Sequence, residues 1–216
     1  MVFVRHGESN ATVQRRIAGM RTCTGLSALG VRQVEQLRDR FAQGNERPID
    51  VLWSSPLPRA LQTATILNQL LDLEIKVDPD LEEQRPGDTD GLRFEEIVAN
   101  FGPPAQDLPP YAVYLPGSET AADFHYRVGR ATHRLVAAHP GQTVLVACHG
   151  GVIDAVFRSM LQLFPRGQFD LWTLNTSLTE FASDHSPSAL PTRWRLVRYN
   201  DAAHLGGLPR ETPPEC

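Results

Sequence analysis

The chain has 216 residues, 41% of them hydrophobic, and a formal net charge of −4. That length supports one full hydrophobic core and sits near the upper end of a single domain. No run of Lys or Arg supplies the basic surface that nucleic-acid or acidic-membrane binding needs, and no window approaches the roughly 18 apolar residues of a membrane span.

Cys23, Cys148 and Cys216 are widely spaced and odd in number, which argues against a disulfide framework and a structural zinc site and fits a reducing, cytoplasmic setting. Met1 leads straight into the first strand without a basic-then-apolar leader. The triplets Asn10-Ala11-Thr12 and Asn175-Thr176-Ser177 therefore read as something other than glycosylation sites.

Taken in chain order, VFVR (Val2 to Arg5) reads as a strand that stops at His6 and Gly7. Side chains alternate between faces of a strand, so Arg5 and His6 serve one pocket only if the strand ends there, and Gly7 permits that stop. A short polar helix is expected near Ser9 to Arg16, then a loop holding Gly19, Cys23 and Gly25. Ser27 is the expected N-cap of a helix whose stripe is Val31, Val34, Leu37 and Phe41. Ile49 to Ser55 is a strand ended by Pro56, and the next helix is expected to turn Leu57, Leu61, Thr65 and Leu70 inward. Leu73 to Pro79 alternates like a half-buried strand, and Glu83 to Gly91 is turn-rich.

The proline-rich stretch Gly102 to Gly117 suits neither a helix nor a central strand and reads as an ordered surface excursion, a lid or an inert loop. Ser118-Glu119-Thr120 is expected to cap a helix reaching about His139, with Phe124, Val128, Leu135 and Val136 facing inward. Thr143 to Cys148 is apolar on both faces, the mark of a central parallel strand. A helix at Val152 to Leu161 follows, then strands at Leu171 to Phe181 and Trp194 to Tyr199, set antiparallel at one edge. Gly206 to Cys216 reads as a loose tail.

Recurring strand, loop and helix predict an α/β fold: a three-layer α/β/α sandwich with a mostly parallel sheet and an antiparallel edge, one domain over residues 1–205. Ligands bind such sheets outside the carboxyl ends of the strands. His6 and His149 both follow strand candidates at such ends and precede glycine. Arg59 stands where a helix begins, and free backbone N–H groups there favour an anion. Two guanidiniums, two imidazoles and a helix start together make a phosphate trap, since forked N–H donors match phosphate oxygens.

RHGESN, SSPLPRALQTA, LEEQRPGDTDG, PGSET and CHGG resemble, in order, the blocks of the histidine phosphatase superfamily, in the branch that includes cofactor-dependent phosphoglycerate mutases. The likeness covers roughly Val2 to Ser177. It implies that His6 is the nucleophile, that Arg5, Arg59 and His149 hold the phosphate oxygens, and that Glu83 protonates the leaving oxygen and then activates water. It further implies substrate contacts from Asn10, from Gly19 and from Gly150 of the CHGG block. Gly19 stands one residue farther from Leu26 and Ser27 than the family pattern. No metal or other cofactor is implied.

The expected activity is metal-independent hydrolysis of a small phosphomonoester through a phosphohistidine. A mutase-type transfer is the alternative within the family, but EQRPGDTDG lacks the E-R-H-Y-G of those mutases. A catalytically silent phosphate-binding module is the alternative outside it, and retention of Glu83 speaks against that. Cys148 does not suit a cysteine phosphatase, because position 154 is Asp154 rather than arginine. His125, His133, His139, His185 and His204 lack zinc-motif spacing and read as surface residues. The edge strands leave room for two copies to pair, though nothing in the sequence requires it.

Overall fold

The computed structural model describes residues 1–103, 108–165, 171–183 and 193–209. Among these, six strands form one sheet: β1 (Val2–Arg5), β2 (Val51–Ser54), β3 (Ile75–Val77), β4 (Val144–Cys148), β5 (Leu178–Ser183) and β6 (Trp194–Asp201). Their order is β3-β2-β4-β1-β5-β6. The first four in that order run parallel, and β5 and β6 are antiparallel. The helices are α1 (Asn10–Val13), α2 (Ala28–Ala42), α3 (Pro58–Leu71), α4 (Phe94–Phe101), α5 (Ala121–Ala138) and α6 (Gly150–Leu161).

Alternation along the strands builds the layers. Val2, Val4, Leu145 and Ala147 face one side, against Val34 and Leu37 of α2 and Ala64 and Leu67 of α3. Phe3, Val144, Val146 and Cys148 face the other, against Phe124, Val128 and Leu135 of α5 and Val152, Ile153 and Val156 of α6. The α/β sandwich expected from the sequence is therefore the observed fold. β4 is buried along its whole length, as its two-sided apolar pattern requires.

Three local expectations are corrected, and one helix without a counterpart among them, α4, is added. In α3 the buried positions are Arg59, Ala60, Thr63, Ala64 and Leu67. Thr65 and Leu70 are exposed instead and Leu61 is half-buried, because small residues let the helix lie close to the sheet. α4 was not read from the sequence at all: Phe94, Val98 and Phe101 are exposed and only Ile97 is buried, so its apolar residues trace no core-facing stripe. Residues 171–177 are not strand, since Thr176 takes a left-handed φ of 58° and the chain folds back onto β1 before β5 begins. The cap of α5 is Thr120, whose side chain accepts from Asp123 N–H, while Ser118 and Glu119 lie outside the helix.

Within the proline-rich excursion, Asp88 N–H donates to Pro116 O at 2.9 Å, Tyr114 OH donates to Gly102 O at 2.7 Å, and Leu115 is buried. At the C-terminal end, Leu208 packs with Ala202 and Leu205 against Leu29 and Leu174. Residues 210–216 of the expected tail lie outside the described residues.

The turn after β1 presses on the first turn of α2. A Cβ on Gly30 would sit 2.0 Å from Glu8 O, and one on Gly7 would sit 2.5 Å from Gly30 O. In an open helix, Gly→Ala would stabilise by about 1 kcal/mol. Here Gly30→Ala is expected to destabilise by roughly 1–3 kcal/mol, the scale of overpacking, read as a lowered urea midpoint. An unchanged or raised midpoint would show that the approach does not constrain the turn.

Candidate active site

The register of β1 on β4 places Arg5 opposite Cys148, so His6 and His149 leave the sheet side by side. His6 N–H donates to Cys148 O at 3.0 Å, which carries the ladder one residue past β1. The ring centroids of His6 and His149 are 5.1 Å apart, tilted by 62°. Both side chains are buried.

The partners of His6 specify its protonation. Its Nδ1 lies 2.7 Å from Gly7 O, which can only accept, so Nδ1 carries the proton. Arg59 Nε can only donate, and it lies 3.1 Å from Nε2, so Nε2 presents a lone pair. Burial is the largest influence holding His6 well below its ordinary value, followed by the charges of Arg59 and Arg5; the bond to Gly7 opposes them weakly. His149 is pushed down in the same direction by burial, then by Arg59, His6, Arg5 and Arg127. Its Nε2 lies 2.8 Å from Ser55 Oγ, and its Nδ1 is buried without a partner among the described residues.

Arg59 is buried in the first turn of α3, which Pro58 starts. Besides His6, it donates to Ala18 O at 2.8 Å and to Cys23 Sγ at 3.4 Å, tying the 18–23 loop to the histidine. Arg5 donates to Thr173 O, and its guanidinium lies 5.6 Å from the centroid of the Trp172 ring. Glu83 joins from the segment after β3: its Oε2 accepts from Gly151 N–H at 3.0 Å, at the start of α6. A Cβ on Gly151 would meet Glu83 Oε1 at 2.2 Å, so this approach needs glycine. Gly150, the expected substrate contact, lies between Arg5 and Thr173.

Gly19 is fixed by Asp90, whose carboxylate accepts from Gly19 N at 2.8 Å, from Arg21 N at 3.1 Å and from Thr22 Oγ1. Burial raises the Asp90 carboxyl, yet these bonds prevail and hold it below its usual range. Gly19 and Glu83 both line a cleft of about 290 Å³, together with Ala18, Leu57, Arg85 and Asp90. Asn10 faces the 24–25 turn: its backbone N–H donates to Gly25 O at 3.1 Å, and its amide donates to Thr24 O at 3.4 Å.

Sequence reasoning missed three supporting groups. Arg127, buried on α5, forks onto both oxygens of Glu119 at 2.7 and 2.6 Å and donates to the carbonyls of Asp80, Glu82 and Glu83. Glu119 also accepts from Arg85 N–H at 3.2 Å, so it orders the Glu83 segment rather than a helix cap. Asn175 donates from its amide to His6 O at 3.0 Å, which is the work of that Asn-Thr-Ser triplet. An arginine at an inward helix position, three residues after Phe124, was the available signal for Arg127; Glu119 had only its PGSET block, and Asn175 lies in none of the blocks.

Cys148 is buried behind the site, with its thiol pushed up by burial, which removes it as a nucleophile. His139 and His204 are half-buried rather than surface residues: His139 accepts from Trp53 Nε1 at 3.2 Å, and His204 lies 2.9 Å from Thr176 Oγ1. His125 is also half-buried, His133 is exposed, and His185 lies outside the described residues. Among the described residues, no group of three or more His, Cys, Asp or Glu side chains is placed to hold a metal ion, and no helix is long and apolar enough to cross a membrane.

The sequence model described as "Histidine phosphatase superfamily (branch 1)" matches residues 1–202. The chain is 30% identical over 208 residues to the phosphatase PhoE of Bacillus subtilis, covering 95% of this chain and 96% of that one. It is 27% identical over 217 residues to the metal-independent phosphoserine phosphatase of Arabidopsis thaliana, covering 96% and 84%. The native structure of mycobacterial glucosyl-3-phosphoglycerate phosphatase superposes with a TM-score of 0.74 at 28% identity, over 93% of this chain and 97% of that one.

Because His6 and His149 are held down, and burial with Arg158 pushes His125 down to about 4, the unfolded chain takes up protons first as the pH falls. Stability from these groups is complete above the ordinary histidine value of about 6.5 and is lost progressively below it. Urea unfolding at pH 7.5 and pH 5 is expected to give the lower midpoint at pH 5. A flat profile across that window would contradict the buried neutral pair.

Proposed function

Since the chain belongs to branch 1 of the histidine phosphatase superfamily and is a phosphatase, we propose that it hydrolyses a small phosphomonoester without a metal, through a phosphohistidine at His6. The observation that carries this reading is the protonation state of His6: a buried neutral imidazole whose Nε2 lone pair faces a guanidinium.

A phosphate dianion entering the crevice competes for Arg59, with charge-assisted bonds stronger than the guanidinium's bond to a neutral ring. Arg59 then leaves Nε2 for the phosphoryl oxygens, which it holds with Arg5 and His149. Freed, Nε2 attacks phosphorus. The N–P bond forms as the P–O bond to the leaving group breaks, and Glu83 gives its proton to the departing alcohol oxygen. In the second step the Glu83 carboxylate takes a proton from water, the resulting oxygen attacks phosphorus, and the N–P electron pair returns to Nε2. Inorganic phosphate leaves, and the site is restored.

The cations act in both steps by meeting charge as it develops on the transferring group. The cleft of about 290 Å³ beside Glu83 suits a small leaving group. Glu83, held at the start of α6, favours hydrolysis over mere phosphate binding, since binding has no use for a proton carrier.

The test is turnover of p-nitrophenyl phosphate without added metal. Wild-type protein is expected to release nitrophenol, and His6→Ala to release none. Arg59→Ala is expected to lower kcat by about 10²–10³, the scale for losing one positioned donor to developing charge. Full activity in either variant would refute the assignment, and no release by the wild type from pH 5 to 8 would favour a silent phosphate-binding module.

A further inference from the structure

Ser55 follows β2 and is held on two sides. Its backbone N–H donates to Ala147 O at 2.9 Å, fastening it to β4. Its Oγ accepts from Leu57 N–H at 3.3 Å, a local turn that leads into α3. The same Oγ lies 2.8 Å from His149 Nε2, and both side chains are fully buried.

A hydroxyl has one proton and two acceptor sites. Leu57 N–H occupies one acceptor site, and a backbone N–H cannot take the proton. Among the described residues, His149 Nε2 is the remaining partner of the hydroxyl. If Nε2 carried the ring proton, Ser55 would accept twice, and its own proton would be buried with nothing to receive it, a costly arrangement. His149 Nδ1 would then be a bare lone pair without a donor, and it would repel a phosphoryl oxygen. If Ser55 instead donates to Nε2, every group at this contact is satisfied, and one donor remains over: Nδ1–H, buried without an acceptor among the described residues.

We propose that Ser55 is a positioning residue that fixes the tautomer of His149, placing the ring proton on Nδ1 as a donor for an oxygen of the phosphoryl group in transit. This rests on the hydrolase reading only for the identity of the acceptor. The tautomer follows from the hydrogen-bond inventory of the resting protein. His149 and His6 are thus matched: both are neutral, and each has Nε2 accepting and Nδ1 protonated. Yet His6 uses its lone pair, whereas His149 uses its proton. The difference lies in which nitrogen the protein leaves for the substrate.

The tautomer is read directly by long-range ¹H–¹⁵N correlation on histidine-labelled, ligand-free protein at neutral pH, with the His149 ring assigned by comparison with His149→Gln. The expected spectrum has a protonated Nδ1 and an unprotonated Nε2; the reverse pattern in wild-type protein overturns the proposal, whatever the variants do. Ser55→Ala is expected to shift the ring toward Nε2–H and to lower kcat on p-nitrophenyl phosphate by about 10–100-fold, as when the outer partner of an oriented imidazole is removed. Ser55→Thr, which keeps the hydroxyl, is expected to restore the wild-type tautomer and much of the rate. An unshifted tautomer and unchanged kcat in folded Ser55→Ala also overturn it. A protein with Nδ1 protonated but no turnover would sink the hydrolase reading and leave the Ser55 assignment supported.

Discussion

The parallel pairing of β1 with β4 is the constraint from which the site follows. Arg5 stands opposite Cys148, and the next residue on each strand is a histidine. A slip of one residue in that register would turn one imidazole toward the opposite face, since side chains alternate along a strand. Burial specifies the register: Phe3 must share one face with Val146, and Val4 the other with Ala147. Packing of an apolar core therefore brings two polar rings together, with centroids 5.1 Å apart, at the sheet's carboxyl edge.

Once there, the rings are controlled by desolvation and by cations acting in the same direction. Both effects disfavour imidazolium. Burial contributes most and Arg59 and Arg5 add to it, so the crevice keeps both imidazoles unprotonated near neutral pH. Arg59 has a second task, because it also holds Ala18 O and Cys23 Sγ. A ligand that draws Arg59 away from His6 thereby acts on that imidazole and on the loop bordering the cleft.

Glu83 is held by a different device. Glu83 lies in a segment without regular structure, and such a segment needs external fixing to keep a carboxyl in place. The buried Arg127 and Glu119 pair supplies it, with the guanidinium reaching three carbonyls of residues 80–83. Breaking such a pair leaves an uncompensated buried charge, so its value lies in specifying one arrangement rather than in net stability. Asn175 does the corresponding work for His6 through a single bond to its carbonyl.

Much of this was legible in the sequence, for identifiable reasons. The two-sided apolar run of β4, the stop at Gly7 and the Ser27 cap are local features whose physics acts within a few residues, and the motif blocks carried His6, Arg59, Glu83 and His149. What failed was information that resides in neighbours. Small residues moved the inner face of α3, exposed apolar side chains hid α4, and residues 171–177 left the strand to wrap Arg5 and His6. Residue types and their order thus determined which groups are candidates for the chemistry. Only the tertiary structure decided which nitrogen of each imidazole faces the crevice and which buried pair fixes Glu83, because hydrogen-bond partners far apart in the chain meet only after the sheet has chosen its register.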